Sequence, residues 1–279
     1  PMVWDYVEAN PLSGGSGSWQ STLKWTLPAI ERLLGAGEQQ AMVRWGDAAK
    51  LAYPDDAFDA VLTDPPYYDS VGYSYLSYMQ YVWLHRALQE ILPEHFAAPL
   101  TPKKAEILQV AARHENVAEA KAFYEERMSL ALSEMRRVLK PDGIGMVMYA
   151  HTATSAWEAL VSALIDAGLQ VTASWPVNTE TTSRRVWLGG AVLAATIFLV
   201  CRKRQGNRVA YLDEVLPTMR EEVRRALARF WAAGIGGADF WVSAIGPALS
   251  VYSQYSEVRY SSGQPVSVSS FLTLVRQAE

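Results

Sequence analysis

The stretch that most constrains the fold runs from Phe58 to Tyr67, where a short apolar run ends in Asp64-Pro65-Pro66-Tyr67. The run Phe-Asp-Ala-Val-Leu-Thr is typical of a buried parallel strand. Two consecutive prolines fix the backbone and remove two amide donors, so the strand has to end there. The sequence therefore predicts a stiff loop at the carboxyl end of a central strand, which is where open α/β sheets place their ligands.

The residues of this loop offer a defined set of chemical groups. Asp64 carries carboxylate oxygens, Pro65 a carbonyl acceptor and Tyr67 an aromatic face. Together they are able to grip a planar ring through an exocyclic amino group. The alternative is that Asp64 only caps a turn or a helix. The strand before the motif, and an acidic residue at Asp47 after another apolar run, favour the functional interpretation.

Apolar runs alternate with amphipathic helical segments along the chain, which predicts an α/β fold with a mainly parallel sheet and helices on both sides. The last strand is expected to run antiparallel, after a polar connection over 176–192. We expect strands at 41–45, 58–63, 144–149, 169–175 and 194–201. We expect helices at 19–34, 78–92, 118–139, 155–167, 213–233, 239–255 and 268–278, with Gly246-Pro247 kinking or dividing the helix at 239–255.

Asp64-Pro65-Pro66-Tyr67 resembles the catalytic motif of amino-group methyltransferases, chiefly those acting on adenine N6 in DNA. The longer stretches Asp-Pro-Pro-Tyr-Tyr-Asp-Ser-Val-Gly-Tyr-Ser-Tyr-Leu and Tyr-Ala-His-Thr-Ala-Thr-Ser-Ala-Trp, starting at Asp64 and Tyr149, resemble one family. These are large prokaryotic adenine-specific DNA methylases with a zinc-ribbon insert. The likeness extends to Gly237-Ala-Asp-Phe and Ala244-Ile-Gly-Pro-Ala-Leu.

The resemblance implies a partial Rossmann-like class I methyltransferase sheet. A loop and helix would occupy residues 1–40, the catalytic half 41–204 and a helical carboxyl-terminal appendage 205–279. The Arg-Val-Leu-Lys-Pro-Asp-Gly stretch from Arg137 is common before a strand of such enzymes, and its role there is structural.

The resemblance also implies site residues and a cofactor, S-adenosylmethionine. The implied catalytic residues are Asp64, Pro65, Pro66 and Tyr67. Those implied to contact the cofactor are Asp47, Ala48 and Asp64. From their side-chain chemistry alone, Tyr67, Tyr68 and Tyr73 are candidates for stacking on the substrate base, and Arg184 and Arg185 are candidates for contact with its phosphates. Each of the outlying residues has a simpler interpretation: a capping role for Asp47, helix packing for the tyrosines and a solvated loop for the arginines.

One part of the family pattern is missing. The sequence contains no Asp-Pro-Phe-x-Gly-Gly-Gly type loop after a first strand and no acidic residue on a second strand to hold the ribose. Because the chain opens at Pro1, we expect it to be the carboxyl-terminal portion of a longer protein or one half of a split enzyme that needs an upstream half. Two alternatives stay open: an RNA guanine-N2 or other amino-group methyltransferase, and a non-catalytic binding or assembly module.

Composition limits the remaining possibilities. The formal net charge is −4, so any contact with nucleic acid has to be local or supplied by another domain. Lys103 and Lys104 in a proline-containing insertion at 93–113 either touch phosphate or are simply solvated. The single cysteine, Cys201, excludes an internal disulfide, is expected to be inert in the core and fits a cytoplasmic location. The histidines are scattered without zinc-ligand spacing, and no apolar run has membrane length.

Overall fold

The computed structural model describes residues 10, 12–15, 17–35, 41–179, 195–236 and 238–277. The chain divides into two compact units, Pro1–Trp45 and Gly46–Glu279. The first unit contains helix α1, Trp19–Leu34, which has the predicted bounds. Its amino-terminal cap is the Ser18 side chain, which accepts a hydrogen bond from the Ser21 amide at 3.2 Å.

The second unit is organised around a four-stranded mixed sheet. Its strands are β1 (Phe58–Thr63), β2 (Leu139–Tyr149), β3 (Leu169–Asn178) and β4 (Ala195–Lys203). The spatial order is β1-β2-β4-β3. β1 pairs with β2 in parallel, and β4 runs antiparallel to both β2 and β3. The prediction of an antiparallel final strand is therefore confirmed, and that strand inserts between its two predecessors.

Helices account for most of the remaining chain. After β1 come α2 (Tyr73–Leu76), α3 (Tyr78–Leu88), a 3₁₀ turn at Ala111–Arg113 and α4 (Val117–Val138). The helices that follow β2 are α5 (Thr154–Asp166), α6 (Leu212–Ala232), α7 (Ala238–Tyr252) and α8 (Val268–Arg276). Two short parallel strands, β5 (Val209–Tyr211) and β6 (Glu257–Arg259), flank α6 and α7. None of the described helices is long and apolar enough to cross a membrane.

The prediction of helices on both sides of the sheet is wrong for the helices whose packing on it is defined. α4 faces Gly145, where an added Cβ would lie 2.4 Å from Met135 Cε. α5 packs on the same face, because its Trp157 ring lies 5.1 Å from that of Tyr149. Gly246 of α7 faces Leu199, which pairs with Val147 on this face as well. The reason is topological: two right-handed crossovers that move the same way across a sheet put their helices on one side.

The opposite face of the sheet is apolar and partly exposed. Leu62 is 64% exposed, Trp175 56% and Ile144 42%, and all three side chains belong to sheet strands. Met146 and Met148 on β2 are also only partly buried. A sheet face of this composition usually lies against other elements.

Residues 41–45 do not form the predicted strand. They are irregular, and Met42, Val43 and Trp45 are 69%, 94% and 74% exposed. A β-strand needs a neighbouring strand for its backbone hydrogen bonds, and no described strand pairs with this segment. The outer edge of β1 is likewise without a partner strand among the described residues.

The carboxyl-terminal region differs from prediction in two respects. It is not an appendage, since Val215, Met219, Val242 and Phe271 belong to the same buried core as the sheet. α7 is not divided at Gly246-Pro247, and Gly246 lies close to Ser174 of β3.

β2 also begins earlier than expected, at Leu139. A register shift between Phe58 and Ala60 of β1 accommodates Pro141 and Gly143 of β2 as a bulge. The structural role expected for the stretch before the strand is confirmed. Arg137 donates to the carbonyls of Leu51 and Tyr53 and pairs with Glu134 at 2.7 Å. α4 therefore holds the chain that leads into β1.

Candidate functional site

The Asp64–Tyr67 loop leaves β1 at its carboxyl end, as predicted. The prediction that β1 is a buried central strand is wrong for the described chain, because β1 is the edge strand of the sheet and none of its residues is fully buried. The Tyr67 hydroxyl donates a hydrogen bond of 2.7 Å to Asp64 Oδ1. Burial, and then the contact with Asp64, raise the pKa of Tyr67, so the hydroxyl stays protonated and keeps donating. Asp64 is exposed, while the Tyr67 ring is half-buried and packs edge-on against Tyr149 with centroids 5.2 Å apart. One carboxylate oxygen of Asp64 is thus oriented by the protein and the other is open to a ligand.

A buried hydroxyl holds the backbone of the same loop. Tyr124 Oη donates to the Pro66 carbonyl at 3.1 Å and accepts from the Tyr68 amide at 3.3 Å. Tyr68 has a φ of 52°, a left-handed conformation that costs free energy for a non-glycine residue. Burial raises the pKa of Tyr124 to about 12, so its hydroxyl is neutral at ordinary pH. Tyr149 Oη lies 3.4 Å from Tyr124 Oη and donates to the Ala156 carbonyl at 3.2 Å.

Tyr68 belongs to the core rather than to an open surface. Its side chain is 5% exposed, and its ring packs edge-on against Tyr124 with centroids 5.1 Å apart. The Gln109 amide donates to the Tyr68 carbonyl at 3.0 Å. This packing argues against the predicted contact of Tyr68 with substrate and makes the residue an anchor for the loop.

His151 holds the far side of the loop. Its Nδ1 accepts a hydrogen bond from the Ala153 amide at 3.0 Å, so the proton of the neutral ring lies on Nε2. Nε2 is 3.0 Å from Asp69 Oδ1 and donates to it. The Trp157 indole donates to the His151 carbonyl at 2.9 Å. The end of β2 and the start of α5 thereby orient a carboxylate five residues beyond Asp64.

A cleft of about 360 Å³ opens beside Asp64, between β1 and α4. Ala48 and Asp64, two of the three residues predicted to contact a cofactor, both line it. The remaining lining is mostly apolar: Leu51, Val61, Leu62, Thr63, Pro65, Pro66, Ile107, Met128, Ala131, Leu132 and Met135. An apolar cleft with a carboxylate and a hydroxyl at its end is suited to a flat, largely apolar group that carries hydrogen-bond donors.

Asp47, the third predicted cofactor contact, is engaged within the protein. Its Oδ1 accepts from the Ala49 amide at 2.9 Å, and its Oδ2 pairs with Arg127 Nη2 at 2.6 Å. The hydrogen bond from Ala49 and the contact with Arg127 lower the pKa of Asp47. The capping interpretation therefore explains the observed contacts, and a role toward a cofactor stays a prediction.

The remaining predicted residues fall into two groups. Tyr73 begins α2 and is 60% exposed, so its ring is available for stacking. Arg184 and Arg185 lie outside the described residues.

No protein-family model and no curated protein matches this chain. The site is therefore interpreted from its own residues.

Sequence reasoning missed Tyr124, Tyr149 and His151 as parts of the site. One signal was present for Tyr124, which continues the buried spacing of α4 through Met128 and Leu132. A tyrosine on a buried helical stripe needs a partner for its hydroxyl, and a strained loop is one place to find one. His151 follows the carboxyl end of β2, the strand that pairs in parallel with β1.

Proposed function

We propose that this chain carries the amino-group site of an S-adenosylmethionine-dependent methyltransferase that acts on adenine N6 in DNA. The observation that carries the proposal is the Asp64–Tyr67 loop, with the Asp64 carboxylate oriented by Tyr67 at the end of a parallel strand and beside an apolar cleft. The alternative, that Asp64 only caps a helix, does not explain this arrangement. Asp64 accepts a hydrogen bond from the Tyr67 side chain and caps no helix in the described structure.

The adenine amino nitrogen is a poor nucleophile because its lone pair is delocalised into the ring. The open oxygen of Asp64 and the Pro65 carbonyl would accept its two hydrogens and favour a pyramidal nitrogen. S-adenosylmethionine, when bound, supplies an electrophilic methyl group. The contribution of this chain is positioning and electrostatic stabilisation rather than covalent catalysis. In this arrangement Tyr67 has two roles, since its hydroxyl orients Asp64 and its ring offers a surface for an extruded base.

The residues present fit one part of the cofactor. Ala48, Thr63 and Asp64 would line the wall of the cleft against its flat adenosyl portion. No glycine-rich segment of the expected type occurs in the sequence to cradle the methionine end. We therefore expect the isolated chain to bind S-adenosylmethionine weakly or not at all, and an upstream half or partner subunit to complete the site.

Three features of the fold support a missing partner. The outer edge of β1 has no partner strand among the described residues. The sheet face that carries Leu62, Ile144 and Trp175 is apolar and partly exposed. Met42, Val43 and Trp45 are apolar and exposed where a strand was expected. An upstream α/β segment would satisfy all three, because it supplies both strands for the edge and helices for the face.

The sheet supports a Rossmann-like class I fold. β1 and β2 are parallel, β3 runs in the same direction as β2, and an antiparallel β4 inserts between β2 and β3. A closing antiparallel strand of this kind is a feature of the methyltransferase sheet that the sequence resembles.

The test is methyl incorporation into DNA and RNA by the chain reconstituted with its upstream half. Asp64→Ala should abolish transfer to DNA adenine, with a loss of order 3 kcal/mol or more in transition-state stabilisation. The matched control is Asp142→Ala, a second exposed aspartate, which should behave as wild type. Near-normal methylation by Asp64→Ala would show that the site is wrong. A melting temperature far below wild type would identify Asp64 as a structural residue instead.

A further inference from the structure

A second cleft, of about 380 Å³, lies on the other side of the segment that borders the Asp64 cleft. Ile107 lines the Asp64 cleft, whereas its neighbours Glu106 and Leu108 line the second one. Alternate side chains of an extended segment point to opposite sides. The two clefts are therefore separated by the thickness of one backbone segment. That segment is fixed to the motif loop, because the Gln109 amide donates to the Tyr68 carbonyl.

The floor of the second cleft is a rigid ion pair. Arg113 Nη2 lies 2.8 Å from Glu106 Oε2, and both side chains are about nine-tenths buried. Glu106 also accepts from the Ser74 amide at 3.1 Å and from the Ser74 hydroxyl at 2.5 Å. The Arg113 guanidinium stacks over the Tyr75 ring at 4.6 Å and donates to the Lys103 carbonyl. These bonds neutralise both charges of the pair and hold the cleft walls together.

Two positive charges remain after this pairing. Lys103 Nζ donates to Thr101 Oγ1 at 2.9 Å and lies over the Tyr78 ring at 4.9 Å. Lys104 is exposed at the rim. Neither lysine forms an ion pair within the part of the chain that the structure describes. In a chain with a formal charge of −4, two unpaired lysines in one cleft form a local anion-attracting site.

The cleft also has aromatic walls. His114 and Phe123 contact each other with ring centroids 4.9 Å apart, and Tyr75, under the Arg113 guanidinium, lines the same cleft. Cations alone would suit any anion, whereas cations together with aromatic faces suit a phosphate that carries a planar base. We propose that this cleft binds a nucleotide unit of single-stranded or locally opened nucleic acid, next to the base held at Asp64. This inference rests on the proposed function and specifies how its substrate is gripped.

The test uses the 279-residue chain and a labelled single-stranded DNA 12-mer, with binding followed by fluorescence anisotropy over a range of salt concentrations. Lys104→Ala should weaken binding and reduce the slope of log affinity against log salt by about 0.7, the value for one lost contact with a single-strand phosphate. His114→Ala should weaken binding roughly tenfold through lost stacking. Lys104→Arg should retain both affinity and slope, and Arg220→Ala, an exposed cation on α6, should change neither.

Four results would overturn the proposal. The first two are no binding of the oligonucleotide at low salt and an unchanged salt slope for Lys104→Ala. The third is binding of a sulfated polysaccharide as tightly as the oligonucleotide. The fourth is displacement of the oligonucleotide by inorganic phosphate or AMP when either is present at the same concentration as the phosphates of the oligonucleotide. The last result would identify a site for free phosphate compounds.

The proposed function and the second cleft can fail separately. If the chain binds DNA through this cleft but shows no Asp64-dependent adenine methylation, only the methyltransferase assignment is refuted. Methylation with an unchanged Lys104→Ala slope refutes only the second cleft.

Discussion

The Tyr67 hydroxyl donates a hydrogen bond of 2.7 Å to the Asp64 carboxylate. The aromatic residue of the motif therefore does more than offer a ring, because its hydroxyl binds Oδ1 of Asp64 and leaves the other carboxylate oxygen free. Its burial raises its pKa, so this bond persists through the neutral range.

Tyr67→Phe separates the two roles of this side chain. It keeps the ring and removes the donor, so we expect methyl transfer by the reconstituted enzyme to slow about tenfold, the value of a hydrogen bond of roughly 1.5 kcal/mol to a charged group. Tyr67→Ala should cost a further 1–3 kcal/mol, roughly, through lost stacking. Steady-state kinetics on a DNA substrate measures both. The matched control is Tyr255→Phe, because Tyr255 is also a partly buried tyrosine but is remote in sequence from the motif. Equal rates for Tyr67→Phe and wild type would show that the hydrogen bond has no catalytic role.

Tyr124→Phe should destabilise the fold by about 1–3 kcal/mol, because it leaves the Tyr68 amide and the Pro66 carbonyl without their buried partner. Urea unfolding at pH 8 measures this loss. Tyr252→Phe removes a comparable buried hydroxyl, bonded to the Val266 carbonyl at 3.1 Å and remote in sequence from the motif. Both variants should lose stability, but only Tyr124→Phe should also lose methylation activity. Equal activity of the two variants would contradict a positioning role for Tyr124.

The same two tyrosines predict a loss of stability in alkali. Burial raises the pKa of Tyr124 and of Tyr252 to about 12 in the folded chain, against an unfolded value of about 10. Below pH 10 these tyrosines are protonated in both the folded and the unfolded chain, so the free energy of unfolding is unaffected. Between pH 10 and pH 12 they ionise only in the unfolded chain, so the free energy of unfolding falls as the pH rises. Each residue should contribute about 3 kcal/mol to this loss. In Tyr124→Phe the decline in unfolding free energy between pH 9 and pH 12 should be smaller than in wild type, and an identical decline would exclude the residue as a source.

Gly246→Ala should destabilise the chain by about 1–3 kcal/mol through overpacking. A Cβ at this position of α7 would lie 2.3 Å from Ser174 Cβ and 2.1 Å from Ser174 Oγ on β3. Ser174→Gly in the same chain should relieve the clash and recover most of the loss. Thermal melts of both single variants and the double variant form the cycle. A stabilised Gly246→Ala would mean that helix propensity outweighs the contact.

Cys201 should be unreactive in the folded chain. The thiol is fully buried, and burial raises its pKa to about 12, so almost no thiolate forms at pH 8. Ellman's reagent should therefore detect one thiol only after denaturation. Rapid modification of the native chain would contradict its placement between Gly145 and Val171 in the sheet.

The sequence by itself determined the elements whose signals are local. Paired prolines have to end a strand, so the Asp64 loop was predictable. The repeated apolar positions of α4, from Tyr124 to Met135, specify a helix with one buried side. The antiparallel closing strand also followed from the pattern of the last apolar runs.

Tertiary structure decided what depends on a distant partner. The Tyr124 hydroxyl meets Pro66 across 58 residues of chain, and no local pattern specifies that contact. Residues 41–45 have the composition of a strand but no neighbouring strand within the described chain, and backbone hydrogen bonding in a sheet is a property of pairs. The crossovers through α4 and α5 place both helices on one face of the sheet. Side-chain periodicity shows that one face of an element is apolar. Which element covers that face depends on the handedness of the connections and on which other segments are available to pack against it.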